Sequence, residues 1–102
     1  MIIVKSTAQT ASASKYLQQL CKHFADKVPA RWDPVRGEVA FPFGRCRMEA
    51  TETCLTIHCE TDEARKMARM KSVIDNHLER FAWREGLKLH WQSGHSGDGL
   101  KD

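Results

Sequence analysis

Arg45, Arg47 and Glu49 stand at every second position of Gly44-Arg45-Cys46-Arg47-Met48-Glu49-Ala50, and His58 and His90 hold matching places in Leu55-Thr56-Ile57-His58-Cys59 and Leu87-Lys88-Leu89-His90-Trp91. A step of two is the period of a β-strand, so each run sends its polar members to one face of a sheet and its apolar members to the other. Guanidinium groups bind anionic oxygens through paired N–H donors, imidazole titrates near neutrality, and a neighbouring carboxylate serves as base or counter-charge. Arg45, Arg47, Glu49, His58 and His90 are therefore the expected lining of an open polar sheet face that binds a small anionic ligand or a partner protein. Glu49 or His58 acting as a general base in a closed pocket is the enzymatic alternative. Cross-strand Arg–Glu pairs on a solvated sheet face are the plain alternative, because an antiparallel sheet often leaves one face in water.

A second group lies in His77-Leu78-Glu79-Arg80-Phe81-Ala82-Trp83-Arg84-Glu85. Helical spacing gives Leu78, Phe81 and Ala82 to a core and leaves His77, Arg80, Trp83 and Arg84 as a cationic-aromatic edge, suited to a planar ligand or a partner surface. Other chemistries find less. Cys21, His23, His58, Cys59 and His90 are acceptable metal ligands, but the strand period turns Cys59 away from His58 and His90, so no metal and no cofactor is expected. Cys46 is turned away from Arg45 and Arg47 in the same manner, and Cys54 is the one thiol expected on the open face. No glycine-rich phosphate loop, nucleophile elbow or His-Glu-x-x-His motif is present.

These residues need a scaffold, and the rest of the chain supplies its pattern. Ile2 to Gln9 reads as a strand. Leu17, Leu20, Cys21 and Phe24 form one helical stripe after a cap at Ser12 or Ser14, giving a helix of about four turns that Pro29 ends. Ala30 to Arg36, interrupted by Pro34, reads as an edge strand or a loop feeding a turn at Arg36-Gly37. Val39, Phe41, Phe43, Cys46, Met48, Leu55, Ile57 and Cys59 share the apolar face of the strands that follow. Thr61 is the expected N-cap of a long helix to about Arg84, with Met67, Met70, Ile74, Leu78 and Phe81 along it and Gly86 as its stop. Leu87 to Trp91 is the last strand. The expected fold class is α+β: a two-layer sandwich of an antiparallel sheet with both helices on one face, in the order β-α-β-β-β-α-β.

The 102 residues, 41% hydrophobic and 28% charged, suit one soluble domain over 1–92 with a disordered tail over 93–102. The opening Met1-Ile2-Ile3-Val4-Lys5 lacks the form of a secretion signal and no apolar run is long enough for a bilayer, so a cytoplasmic protein with four free thiols is expected. A net charge of +3, scattered rather than gathered in a stripe, argues against nucleic acid.

Three blocks, YLQQLCKHFADKVP from Tyr16, GEVAFPFGRCRMEA from Gly37 and HLERFAWRE from His77, together resemble the small bacterial domain-of-unknown-function family 2218, over about Thr7 to Gln92. The resemblance implies an accessory role in iron handling beside FAD-binding siderophore-interacting reductases, hence an iron-chelating ligand or an iron-uptake reductase partner; a structural homodimer joined face to face or edge to edge is a separate alternative. It also marks a departure: Asp26 stands where similar sequences tend to carry a second histidine after His23.

Overall fold

The computed structural model describes residues 1–93. The chain runs through β1 (Ile2–Gln9), α1 (Ala13–Phe24), β2 (Ala30–Trp32), β3 (Arg36–Phe41), β4 (Gly44–Ala50), β5 (Cys54–Thr61), α2 (Ala64–Phe81) and β6 (His90–Ser93). The six strands form one antiparallel sheet in the order β2-β3-β4-β5-β1-β6. Both helices pack on one side of it, the two-layer α+β arrangement expected. The short strand β2 realises the edge-strand option for Ala30 to Arg36. The anticipated tail lies outside the described residues except Ser93, which belongs to β6.

Register explains why oil and charge separate so cleanly. Val39, Cys46, Cys59 and Val4 face one another across β3, β4, β5 and β1, and Gly37, Met48, Ile57, Ser6 and Trp91 make the next row, extending to β6. Leu17, Leu20, Cys21 and Phe24 of α1 and Met67, Met70, Ile74 and Leu78 of α2 close over these rows. The row on the opposite face is polar throughout: Arg31, Glu38, Arg47, His58, Lys5 and Gln92. Cys21, Cys46 and Cys59 are buried free thiols in the core, and Cys46 lies directly across from Cys59. Burial pushes the Cys21 thiol up to about 11, and contact with Cys59 together with burial raises Cys46 as well. Such groups are packing residues rather than nucleophiles.

Five boundaries differ from the sequence expectation. First, α1 stops at Phe24, five residues before Pro29. Phe24 is the last member of the apolar stripe, and its carbonyl then accepts from both Lys27 and Val28 N–H at 3.0 Å, a tight turn that the helix cannot pass. Second, the turn lies at Asp33 to Val35 rather than at Arg36-Gly37. The Asp33 carboxylate accepts from Val35 and Arg36 N–H, both at 2.8 Å, and this pre-empts a turn farther on. Third, Thr61 ends β5 instead of capping α2. Its hydroxyl donates to the Phe43 carbonyl at 2.8 Å, which pins the β3–β4 turn, and Glu63 takes the cap position. Fourth, β6 begins at His90, because Leu87 and Leu89 are drawn against the core before the chain can pair with β1. There Trp91 Nε1–H donates to Asp75 Oδ1 at 2.9 Å and ties the strand to α2.

The long helix itself ends at Phe81, three residues short of Arg84. Backbone turns at Ala82 and Trp83 carry the chain to Gly86, whose φ of 62° is open to glycine without strain. This turn delivers Glu85 to α1, where its carboxylate accepts from Thr10 Oγ1 at 2.8 Å and from the buried Tyr16 hydroxyl. The carboxylate beside it raises the Tyr16 phenol to about 12 and the same bonds lower Glu85.

Candidate binding surfaces

Across the uncovered sheet face, Arg47 of β4 sits between Glu38 of β3 and His58 of β5, while Glu49, two residues on, lies opposite Arg36 and Thr56. Arg36 and Arg47 are thus diagonal neighbours, close enough for long side chains to reach a common point. With Glu38, Glu49 and His58 they surround a depression of about 230 Å³. His58 Nε2 stands 3.9 Å from Glu49 Oε1. Partial burial, then the Arg47 guanidinium, and lastly Lys5, hold the imidazole below its ordinary pKa, opposed by Glu49. A neutral imidazole between a guanidinium and a carboxylate can accept a proton or donate one N–H, and the two arginines supply N–H donors to an anion.

Not every residue expected on this face joins that cluster. Arg45 is one strand step away, opposite Ala40 and Glu60, and borders a separate hollow beside the β3–β4 turn. His90 does project from the polar face, opposite Thr7, but β6 lies beyond β1, so the whole of that strand separates it from His58. Cys54 is half-buried there, its Sγ 3.8 Å from Thr56 Oγ1.

His77, Arg80 and Trp83 lie in the helix layer, on the other side of the sheet, and do not act as one edge. Trp83 is 69% exposed, with the Arg84 guanidinium 5.2 Å from its ring centre. Arg80 is exposed on α2. His77 turns inward toward α1, where its ring centre is 4.4 Å from that of His23. Its Nδ1–H donates to the Val73 carbonyl at 2.7 Å, which leaves Nε2 for another partner. His23, read from sequence as a histidine without its companion, thus has an imidazole neighbour from a different helix. Partial desolvation, then His77, and more weakly Arg80 and Lys27, lower its pKa against the pull of Asp26.

Around this pair is a groove of about 400 Å³ between the end of α1, the middle of α2 and the β3–β4 turn, a feature the sequence reading missed. Arg69, Val73 and His77 recur at steps of four along α2, which is the one signal that pointed to it. Among the described residues, no group of three His, Cys, Asp or Glu side chains is placed to hold a metal ion, and no helix is long and apolar enough to cross a membrane.

Known proteins place the chain in a family. A family model described as an uncharacterized protein conserved in bacteria, DUF2218, matches residues 5–92. The chain is also similar to a protein solved by NMR, PA4090 from Pseudomonas aeruginosa, at 30% identity over 90% of this chain and 96% of that one, with a TM-score of 0.76. No curated protein matches. With the family match running from β1 to β6 and a solved structure of like fold, this chain belongs to the bacterial DUF2218 family.

Proposed function

We propose that this protein is a small cytoplasmic binding module that takes up an anionic ligand on its open sheet face, with Arg36 and Arg47 as the anion-binding pair and His58 as the hydrogen-bonding partner beside them. The observation that carries this reading is the diagonal pairing of two guanidiniums over a depression that also contains a half-buried imidazole held toward its neutral form. Charge-assisted bonds from paired guanidiniums suit an oxygen-rich anion. An anionic iron chelate, the ligand class that an accessory role in iron handling would bring, presents such an oxygen-rich rim. The acid–base alternative asks for a site closed to water, whereas the Glu49 side chain is 56% exposed, which favours binding over catalysis as the reading.

Titration of the full chain with citrate and with ferric citrate, followed by amide and imidazole NMR shifts, tests the proposal. Saturable shifts centred on Arg36, Arg47 and His58 are expected, and Arg36→Ala/Arg47→Ala should abolish them while leaving the remaining spectrum in place. Unchanged saturation in that variant would refute the assignment.

A further inference from the structure

The groove in the helix layer has a composition that the sheet face lacks. Its floor is aromatic: Phe41 and Phe43 are stacked with ring centres 5.1 Å apart and 10° between planes, and Phe24 meets Phe41 edge-on at 5.0 Å. Its rim is cationic. The Arg69 guanidinium lies 5.0 Å from the Phe43 ring centre and Lys27 stands on the α1 side, against a single carboxylate, Asp26. Phe24 also meets the His77 ring edge-on at 5.1 Å, so the imidazole pair continues the aromatic wall.

We propose that this groove is a second binding site, independent of the sheet face, for a single-ring aromatic carboxylate. The flat ring packs on the Phe41, Phe43 and imidazole surfaces, which favour offset and edge-on contacts with another ring. The carboxylate takes N–H donors from Arg69 and Lys27, whose two positive charges outnumber the one negative charge of Asp26. His77 Nε2, left over from the bond to Val73, accepts from a ring hydroxyl where the ligand has one. The volume of about 400 Å³ lies in the range of small-molecule sites, and the mixture of an apolar floor with a few convergent polar groups is their usual make-up.

Salicylate, benzoate and cyclohexanecarboxylate, titrated separately into the full chain and followed by aromatic and imidazole NMR signals, provide the test. The two aromatic acids are expected to shift Phe41, Phe43, His23 and His77 saturably and to leave His58 where it is. The saturated-ring acid should bind at least about fivefold more weakly, since it keeps the charge and loses the ring contacts. Arg69→Gln, a change at an exposed position, should weaken salicylate about tenfold, the loss of one charge-assisted contact. Phe43→Leu should weaken it while sparing any anion response at His58. The proposal is overturned by an absence of saturable shifts, by shifts confined to His58 and Arg47, by equal binding of the saturated acid, or by unchanged binding in a folded Arg69→Gln protein. Failure of the citrate experiment leaves these outcomes unaffected, because the two sites lie on opposite sides of the sheet.

Discussion

Gly37 is the place where α1 comes down onto the sheet, and replacing it with alanine measures how closely. A Cβ built there would lie 2.5 Å from Cys21 Sγ, 3.3 Å from Leu17 Cδ2 and 3.5 Å from Trp32 Cβ. Non-bonded heavy atoms sit comfortably at about 3.5–4.0 Å, so the sulfur is roughly 1 Å too near. Cys21 and Leu17 are both fully buried, so relief requires the helix to lift or the thiol to rotate into packed surroundings. Overpacking of this kind costs about 1–3 kcal/mol, while stiffening the unfolded chain by Gly→Ala returns ~0.4–1 kcal/mol. The expected net loss lies between about 0 and 2.6 kcal/mol in urea unfolding, with Tm falling by ~4–8 °C for each kcal/mol. Cys21→Ala alone should cost about 1 kcal/mol through the lost sulfur and the space it leaves. In Gly37→Ala/Cys21→Ala the new methyl enters that space, so the double variant should be more stable than the sum of the singles by at least about 0.5 kcal/mol. Additive costs in the double variant would refute the close approach.

Tyr16 is the only tyrosine in the chain, so the ultraviolet absorbance of phenolate reads it without interference; its midpoint is expected near 12, and Glu85→Gln should bring it down toward 10. An unmoved midpoint in the variant would break the link between α1 and the end of α2. His23 and His58 are both held below the ordinary histidine pKa, which sets the sign of an acid effect: their contribution to stability is intact above about 6.5, where unfolded imidazoles begin to protonate, and is lost as the pH falls from there through the folded values. Chemical denaturation between pH 7 and 5 should therefore show stability falling with acid, and the fall should be shallower in His23→Gln/His58→Gln; an equal slope in that variant would count against both environments.

The two-residue rhythm of β3, β4 and β5 was readable because each strand is covered on one side only, so every misplaced side chain would bury charge or expose oil. Arg47, Glu49 and His58 share a face for that reason. Period alone says nothing of strand order, and it is the insertion of β1 between β5 and β6 that keeps His90 from joining them. The same limit hid the groove. Helical spacing places His23 and His77 on the flanks of their own stripes, but only the packing of α1 against α2 brings the rings together. The misplaced ends divide by cause. Thr61 and Leu89 each answer to a tertiary partner, a carbonyl or a core contact, that a local signal such as a threonine before two acids does not contain, whereas Phe24 closes a local backbone turn with Lys27 and Val28 ahead of Pro29.

The three blocks that carry the family likeness can be sorted by what the fold itself demands of them. Gly37 is required by the approach of α1. Gly44 is required in its turn because an added Cβ would run into the Met70 methyl and the Glu60 carbonyl. Tyr16 and Glu85 hold α1 to the end of α2, and Leu17, Leu20, Cys46, Met48, Leu78 and Ala82 are core. Among what remains are polar side chains outside the buried core: His23 and Lys27 from the first block, Arg47 and Glu49 from the second, His77 and Arg80 from the third. His23, Lys27 and His77 fall at the groove, and Arg47 and Glu49 fall at the sheet-face depression. The sheet-face site adds Arg36 and His58 from outside the blocks, and the groove adds Arg69 from outside them together with the packed rings of Phe24, Phe41 and Phe43, so each site joins loosely packed polar groups to a scaffold that the core already holds in place.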